Sequence, residues 1–300
     1  GQPHSYGPGQ NPSVTIKLHR RSTSLRIAVN PALAIPEAYM EGELVVRGGS
    51  LYDFLYFMGE NLAAAGPSFL MRVRARTEYM SRWFMQYNPV VRARRHVAHH
   101  YDISGELYEL FLDSDLQYSC AYFKDPAEDI EKAQTRKKHH LSAKLLLKSG
   151  QTVLDIGSGW GGLSLYLGEV ADVDVTGLTL SSEQYKIAEA RARDRGLSKK
   201  VRFHLRDYRE ERGKYDRVVS VGMFEHVGVP YYNAYFRAIS DRLKSDGVAL
   251  VHTIGRADGP GVTNPFIRKY IFPGGYIPAL SEMAAAIERT GLYITDVEVL

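Results

Sequence analysis

Residues 153–162 read VLDIGSGWGG, and the fold class follows from this stretch. The apolar residues that open it, together with the preceding Thr152, read TVLDI at 152–156 and predict a buried strand. The glycines that follow let the backbone turn tightly and come close to a ligand. A helix over the next residues presents the free N–H groups of its first turn at the same place. The stretch therefore predicts a nucleotide-like pocket at the carboxyl edge of a sheet.

The glycine loop has two rival interpretations. Gly157, Gly159 and Gly162 fit the G-x-G-x-x-G pattern of dinucleotide sites, but such a site also needs an acid about 20 residues on. Here the next strand ends in GLTL at 177–180, without an acid. Asp155, two residues before the first glycine, resembles instead the loop of class I methyltransferases. A strand-to-helix turn without any ligand is the third alternative.

Outside this loop, strands and helices alternate. Apolar runs at 173–178, 201–205, 215–221 and 248–254 predict further strands. Asp125-Pro126 predicts the start of a helix that runs to about Lys148, and Ser181 predicts the start of another that ends near Gly196. This order predicts an α/β fold, namely a Rossmann-like class I methyltransferase sheet with helices on both faces.

The first 90 residues have a different pattern. A short strand at 43–47 and helices at 51–58 and 72–86 predict a small mixed N-terminal domain over residues 13–90. Residues 1–12 are rich in Gly and Pro and are expected to be a disordered end, and residues 92–100 form a basic linker rich in His. The methyltransferase domain then occupies residues 91–300. Its last residues, TDVEVL at 295–300, read as a strand, so we expect a truncated C-terminus and an incomplete domain.

The amino-acid composition limits the expected cellular location and partners of the protein. No run of about 18 apolar residues is present, so no membrane-spanning helix is expected. Cys120 is the one cysteine, which excludes an internal disulfide and favours a reducing, cytoplasmic location. Residues 1–100 carry 12 Lys and Arg against 6 Asp and Glu. This basic third predicts an anionic partner, either acidic lipid or nucleic acid, unless it is only a solvated surface.

Further motifs lie in a fixed order around the glycine loop. They are His99-His100-Tyr101-Asp102, QYSCAYF at 117–123, SVGMFEHVG at 220–228, HTIG at 252–255 and YIFPGG at 270–275. With these motifs the chain closely resembles the cyclopropane-fatty-acyl-phospholipid synthases, strongly over residues 90–300 and more weakly over 20–90. The related mycolic acid cyclopropane synthases generally lack the N-terminal domain, so its presence favours a phospholipid substrate.

The resemblance implies S-adenosylmethionine as the methyl donor. The donor-binding positions that it implies are Tyr118, Ser119, Asp155, Gly157, Gly159, Thr179, Leu180, Gln184, Asp207 and Tyr208. Thr179 and Gln184 would replace the missing ribose acid, and Asp207 with Tyr208 would meet the adenine. Each has a structural alternative: Gln184 could complete a capping box with Ser181 by bonding the helix backbone. Asp207 could be a loop carboxylate, and Tyr118 a core aromatic.

The reaction that the resemblance implies is methyl transfer to the cis double bond of an unsaturated acyl chain. A carbocation forms on the chain and loses a proton as the cyclopropane ring closes, and aromatic side chains stabilise a nearby cation. In the family a bound bicarbonate ion takes this proton. The resemblance places its holders, the catalytic positions, at the side chains of Glu225 and His252 and at backbone groups of Cys120 and Ile254. His252 could also be an ordinary core histidine, and no metal is implied.

Partners and rival functions follow from the same resemblance. The enzyme is expected as a peripheral protein on the inner face of a phospholipid membrane, with basic and aromatic residues between Arg72 and Arg95 at the lipid. No nucleic acid is expected, because Glu225-His226 stands where a base-flipping motif would follow the strand. Dimers are known in the family, so a homodimer is compatible with the resemblance. The alternatives are a methyltransferase that gives a methyl-branched or methylenated chain, and a protein that has lost catalysis and only binds donor or membrane.

Overall fold

The computed structural model describes residues 4–5, 14–66, 69–89 and 105–300. The described chain divides into two compact units. One contains the residues up to Arg82 together with Val262–Ile271, and the other contains Trp83–Gly261 and Phe272–Leu300. Apart from residues 4 and 5, the predicted disordered end, together with the His-rich linker and the motif at 99–102, lies outside the described residues.

The first unit combines a two-stranded antiparallel sheet with helices. Its elements are β1 (Thr15–Leu18), α1 (Arg21–Val29), α2 (Pro31–Met40), β2 (Leu44–Gly48), α3 (Leu51–Ala65) and α4 (Phe69–Met85, whose last residues belong to the second unit). The small core is built around Ala38, Leu44 and Phe54. The strand and both helices predicted for this part are confirmed, and α3 runs seven residues beyond the predicted end because its alanines continue the helix.

Residues 262–271 belong to the first unit, although their position in the chain placed them in the predicted methyltransferase domain. The buried carboxylate of Glu37 accepts hydrogen bonds from Lys269 Nζ (2.6 Å) and the Tyr270 hydroxyl (2.9 Å), and it also pairs with Arg26. These bonds lower the pKa of Glu37. They join two segments that lie more than 200 residues apart in the chain.

The second unit is built on a parallel sheet. Its strands are β3 (Thr152–Ile156), β4 (Asp174–Thr179), β5 (Val201–Leu205), β6 (Tyr215–Val221) and β7 (Leu243–His252), in the order β5-β4-β3-β6-β7. Ile156 lies opposite Leu178, and Val221 lies opposite His252, so the carboxyl ends of the strands meet at one edge. This confirms the predicted sheet, and β7 begins five residues earlier than expected.

Helices cover both faces of this sheet. They are α5 (Gly105–Glu109), α6 (Ile130–Lys144), α7 (Gly162–Val170), α8 (Ser182–Asp194), α9 (Tyr232–Arg242) and α10 (Leu280–Glu288). Successive residues of β3 point to opposite faces: Val153 packs with α6, α7 and α8, whereas Leu154 packs with α9 and α10. Both faces of the strand are therefore covered from Val153 to Ile156, which is why it reads as a continuous apolar run.

The predicted start of α6 at Asp125-Pro126 is wrong. Asp125 Oδ1 accepts from the backbone N–H of Ala127 in a separate turn, and the helix begins at Ile130. Asp129 is its N-cap, with Oδ1 accepting from the Lys132 N–H at 2.8 Å. The helix ends at Lys144 rather than near Lys148, because Leu146 takes a positive φ of 50°.

The strand predicted at 295–300 is also wrong. These residues form no strand, because nothing in the described chain pairs with their backbone as a neighbouring strand. Their acidic side chains instead meet α6: Glu298 pairs with Lys144 (2.7 Å) and His140 (2.8 Å), and Asp296 pairs with Lys144. Among the helices of the described ranges, none is long and apolar enough to cross a bilayer.

Candidate functional site

One cavity lies at the carboxyl edge of the sheet of the second unit. It follows the ends of β3, β4 and β6 and the connections that leave them. All ten positions predicted for the donor line it: Tyr118, Ser119, Asp155, Gly157, Gly159, Thr179, Leu180, Gln184, Asp207 and Tyr208. They come from four separate parts of the chain, and the fold brings them together where parallel sheets bind their ligands.

The glycine loop leaves space for a ligand at one position and forbids a side chain at another. Gly159 has φ +54°, and a Cβ added there would have no atom within 4 Å. A Cβ at Gly157, where φ is +85°, would lie 2.8 Å from Met223 Cγ. The loop therefore needs glycine at 157 to pack against the connection after β6, and glycine at 159 keeps its backbone open to the cavity.

Thr179 and Gln184 form a hydrogen-bonded pair at the end of β4. The Thr179 hydroxyl donates to Gln184 Oε1 at 2.9 Å, and both residues are buried. Ser181 caps α8 by accepting from the Gln184 N–H at 3.3 Å. The capping box considered for Gln184 is therefore wrong, since its side-chain oxygen is occupied by Thr179 rather than by the helix backbone. This leaves the Gln184 amide N–H groups as donors beside the cavity.

Asp155 is a buried carboxyl at the base of the cavity. Its Oδ2 accepts from the Ser164 hydroxyl at 2.6 Å. Burial raises the pKa of Asp155 to about 6, and the Ser164 hydrogen bond offsets only part of this shift. The folded protein thus holds the Asp155 proton more tightly than the unfolded chain does, so stability is lost as the pH rises from about 4 to about 6, and the full penalty applies above that range.

Replacing Asp155 by Asn is expected to stabilise the ligand-free protein at pH 8. Asn keeps an acceptor for Ser164 and removes the buried charge, and a shift from 3.8 to about 6 corresponds to roughly 3 kcal/mol. The gain shrinks as the pH falls from 6 towards 4, because wild-type Asp155 becomes protonated in that window. Urea unfolding of both proteins at pH 8 and pH 5 measures this; an Asn variant equally or less stable at pH 8 would contradict it.

Asp207 has a partner of its own at the other end of the cavity. Its Oδ1 accepts from Arg209 Nε (2.8 Å) and its Oδ2 from Arg209 Nη2 (2.7 Å). Arg209 also lies over the rings of Tyr208 and Tyr231. Asp207 therefore lines the cavity and also fixes a loop, so the two interpretations given for it do not exclude each other.

Tyr118 and Ser119 lie on the segment that follows α5. The Tyr118 ring contacts Tyr108 (centroids 5.3 Å apart), Phe111 (6.1 Å) and Phe272 (6.2 Å). Burial raises the pKa of Tyr118. Tyr118 thus belongs to an aromatic cluster and lines the cavity at the same time.

The four predicted catalytic residues do not line this cavity. Residues next to two of them in the sequence do line it: Ser119 precedes Cys120, and Met223 and His226 lie within two residues of Glu225. Glu225 Oε1 accepts from the backbone N–H of Ile254 at 2.7 Å. The Gly222 N–H donates to the His252 carbonyl at 3.0 Å, which sets the two connections side by side. The Ile254 N–H is thus already bonded to Glu225. Of the Ile254 backbone groups, only the carbonyl is left for the predicted contact with bicarbonate. Cys120 is exposed.

Glu225 and His252 each carry a buried polar atom that has no hydrogen-bond partner among the described residues. These atoms are Glu225 Oε2 and His252 Nδ1. Burial raises the pKa of Glu225 and lowers that of His252, the latter also because of the charge of Lys137. Unsatisfied buried polar atoms are rare and need an explanation, and a small polar ligand that bonds both is one.

Sequence reasoning missed Asn88, Arg209 and Lys137. Asn88 lines the cavity, donates from Nδ2 to the His226 carbonyl at 2.7 Å, and accepts at its own carbonyl from Arg209. In the sequence it was only the residue before a proline. Lys137 is almost fully buried. Its spacing from Gln134 and Leu141 on α6 places it on the inward stripe of the helix, which was the available signal.

The family model for mycolic acid cyclopropane synthetase matches residues 90–300. The chain belongs to this family. It is 46% identical over 189 residues to the cyclopropane-fatty-acyl-phospholipid synthase of Escherichia coli (strain K12), which is 63% of this chain and 48% of that protein. It is 42% identical over 212 residues to a "Probable fatty acid methyltransferase" of Pseudomonas putida, 68% of this chain and 54% of that protein. The chain thus spans about half the length of these curated relatives.

A solved relative shares the fold. The mycolic acid cyclopropane synthase CmaA1, in a crystal structure with SAH and CTAB, is 32% identical and has a TM-score of 0.64, covering 71% of this chain and 78% of that one. The second unit of this cyclopropane synthetase family member therefore has the fold of class I S-adenosylmethionine-dependent methyltransferases. The open space at Gly159 and the free amide N–H groups of Gln184 fit a ligand with an amino-acid portion and a ribose.

Proposed function

We propose that this protein transfers the methyl group of S-adenosylmethionine to the cis double bond of unsaturated acyl chains in phospholipids and forms cyclopropane fatty acids. The observation that carries the proposal is the cavity in which all ten expected donor positions converge. Membership of the cyclopropane synthetase family supports the reaction class.

The residues of the cavity divide the work of holding the donor. Gly157 and Gly159 let its amino-acid portion lie against the loop after β3. The Gln184 amide would donate to the ribose, and Asp207 with Tyr208 would border the adenine. When bound, the sulfonium supplies an electrophilic methyl, so these residues only need to orient it and exclude water.

The proton that leaves the new methyl group needs a base. We propose that Glu225 Oε2 and His252 Nδ1, the two unsatisfied atoms, hold a bicarbonate ion that accepts it. Both are buried polar atoms for which the described part of the chain offers no hydrogen-bond partner. The Ile254 N–H fixes the Glu225 carboxyl through Oε1, so that Oε2 keeps a constant position. The aromatic cluster around Tyr118 supplies ring faces for the cation on the acyl chain.

Mass spectrometry of extracted acyl chains tests this function. The protein is incubated with S-adenosylmethionine, bicarbonate and vesicles of a cis-unsaturated phospholipid; if the natural chain continues beyond Leu300, the longer chain is assayed beside it. A gain of one CH₂ with ring-type fragmentation supports the synthase. A product with a saturated methyl branch is two hydrogens heavier than the cyclopropane product, and it would point to a methyl-branching enzyme. Donor binding without any added carbon would contradict the proposed reaction and favour a binding protein.

The membrane is proposed as the partner, through helix α4. Two neighbouring stripes run along its exposed side at helical spacing: Arg72, Arg76 and Tyr79, and beside them Phe69, Val73 and Met80. Phe69 is 70% exposed and Met80 is 73% exposed. An exposed helix face that combines cations with large apolar side chains is typical of binding in the interface of an anionic bilayer. We therefore propose that the enzyme works as a peripheral protein at the inner face of the membrane.

Replacing Arg72, Arg74 and Arg76 together by Glu is expected to weaken binding to anionic vesicles by on the order of 100-fold or more, since each cation near such a surface contributes about 1 kcal/mol. Vesicle co-sedimentation measures the change. The matched control reverses three exposed cations of the second unit, Lys132, Arg193 and Lys199. Equal losses in both triple variants, or none in the first, would contradict a lipid surface on α4.

A further inference from the structure

Helix α6 directs two polar side chains towards the segment that carries Gln117 and Ser119. Gln134 and Lys137, one helical turn apart, are 3% and 1% exposed. The Gln134 amide donates to the carbonyls of Gln117 (3.1 Å) and Ser119 (3.0 Å), and Lys137 Nζ donates to the Ser119 hydroxyl at 2.6 Å. Two buried polar side chains thus fix the backbone and the hydroxyl of a cavity-lining residue.

The charge of Lys137 has no counterion at contact distance. Among the described residues, no carboxylate lies within ion-pair distance of its ammonium group, whereas the neighbouring Lys138 pairs with Asp115 at 2.6 Å. Burial lowers the pKa of Lys137 to about 8. A buried cation without an anion in contact destabilises a fold, and such groups concentrate at functional sites.

The hydrogen bond from Lys137 determines what Ser119 can offer to the cavity. Because Ser119 Oγ accepts from the ammonium, its own hydroxyl proton is left to donate elsewhere. Ser119 lines the cavity and stands opposite the end of β6, where its Cβ lies 3.5 Å from the place of a Cβ on Gly222. A polarised hydroxyl backed by a positive charge favours an anionic acceptor.

Three of the other charged side chains that line the cavity have ionic partners, and Asp155 at its base is bonded by the Ser164 hydroxyl. Asp207 pairs with Arg209, and Arg206 pairs with Glu211. Lys137 therefore gives the Ser119 end of the cavity a positive character that protein groups in contact with it do not neutralise.

We propose that Lys137 is a positioning residue for a carboxylate-type anion, acting through the Ser119 hydroxyl. The inference rests on the proposed function, which offers two sources for the anion: the carboxylate of the methyl donor, and bicarbonate beside Glu225 and His252. Ser119 lines the donor cavity, so the donor carboxylate is the expected occupant.

Calorimetric binding of two ligands tests this inference. S-adenosylhomocysteine carries the carboxylate, and its decarboxylated analogue differs only in lacking it. Lys137→Met is expected to weaken the first by about 10- to 100-fold, the range for a hydrogen bond to a charged group, and to leave the second unchanged. Ser119→Ala, which keeps the ammonium, is expected to show the same selectivity. Lys132→Met, on the same helix but with a side chain 70% exposed, is the control and should change neither.

Each other outcome has a definite meaning. If S-adenosylhomocysteine binds Lys137→Met normally but the bicarbonate concentration for half-maximal turnover rises about tenfold or more, the anion is bicarbonate and the proposal holds with that source. If Lys137→Met weakens the binding of both ligands equally, Lys137 only supports the fold. If neither the two affinities nor the bicarbonate dependence changes, Lys137 has no role at the site. Either result overturns the proposal. A wild-type protein that binds neither ligand would contradict the proposed function itself.

Discussion

Replacing Glu225 by Gln is expected to lower the rate of cyclopropane formation by 10²- to 10⁴-fold, the range for loss of a positioned acid–base group. Gln keeps an oxygen for the Ile254 N–H, so the local fold is preserved. It exchanges the unsatisfied Oε2 for an amide that cannot hold a bicarbonate ion in the same way. Initial rates at saturating donor, read by mass spectrometry, measure the effect.

The control measurement for Glu225→Gln is the binding of S-adenosylhomocysteine. Glu225 lies outside the cavity lining, so S-adenosylhomocysteine should bind the variant as it binds wild type. The melting temperature should not fall, because burial raises the pKa of Glu225 and the neutral amide avoids that penalty. A variant that keeps more than about a tenth of the wild-type rate would show that Glu225 is not part of the base site.

Replacing Gly159 by Leu is expected to abolish donor binding, with a loss of at least about 100-fold in affinity for S-adenosylhomocysteine. The new side chain would project from a backbone that lines the cavity, into space where a Cβ meets no protein atom within 4 Å. The fold should survive, because nothing there clashes. The positive φ of 54° adds a strain of about 1 kcal/mol.

Gly196→Leu is the matched control for that strain. Gly196 also has a positive φ, +70°, with no atom within 4 Å of an added Cβ, but it follows α8 away from the cavity. Both variants should lose similar stability in urea, and only Gly159→Leu should lose the ligand. If both bind S-adenosylhomocysteine equally well, the donor does not lie against the glycine loop.

Local patterns in the chain were sufficient for the sheet. β3 and its glycine loop were predicted correctly because an apolar run and a cluster of glycines are visible in neighbouring residues of the sequence. Helix ends were harder: the sequence predicted that α6 starts at Asp125, but Asp129 is its N-cap, because the start depends on which carboxylate caps a helix that packs on the sheet. The ten donor positions came from motifs, and the fold explains why those motifs matter, since it brings four distant segments to one edge.

The sequence by itself determined the fold class and the family and predicted the donor positions, because these follow from apolar periodicity, from glycines that only certain turns require, and from motifs in a fixed order. Only the tertiary structure decided the partners of the polar groups. It paired Glu37 with Lys269 and Asp207 with Arg209, bonded the Ile254 N–H to Glu225, and buried Lys137 against the Ser119 hydroxyl. The physical reason is that burial and pairing depend on which distant side chains share a low-dielectric space, and no local pattern carries that information.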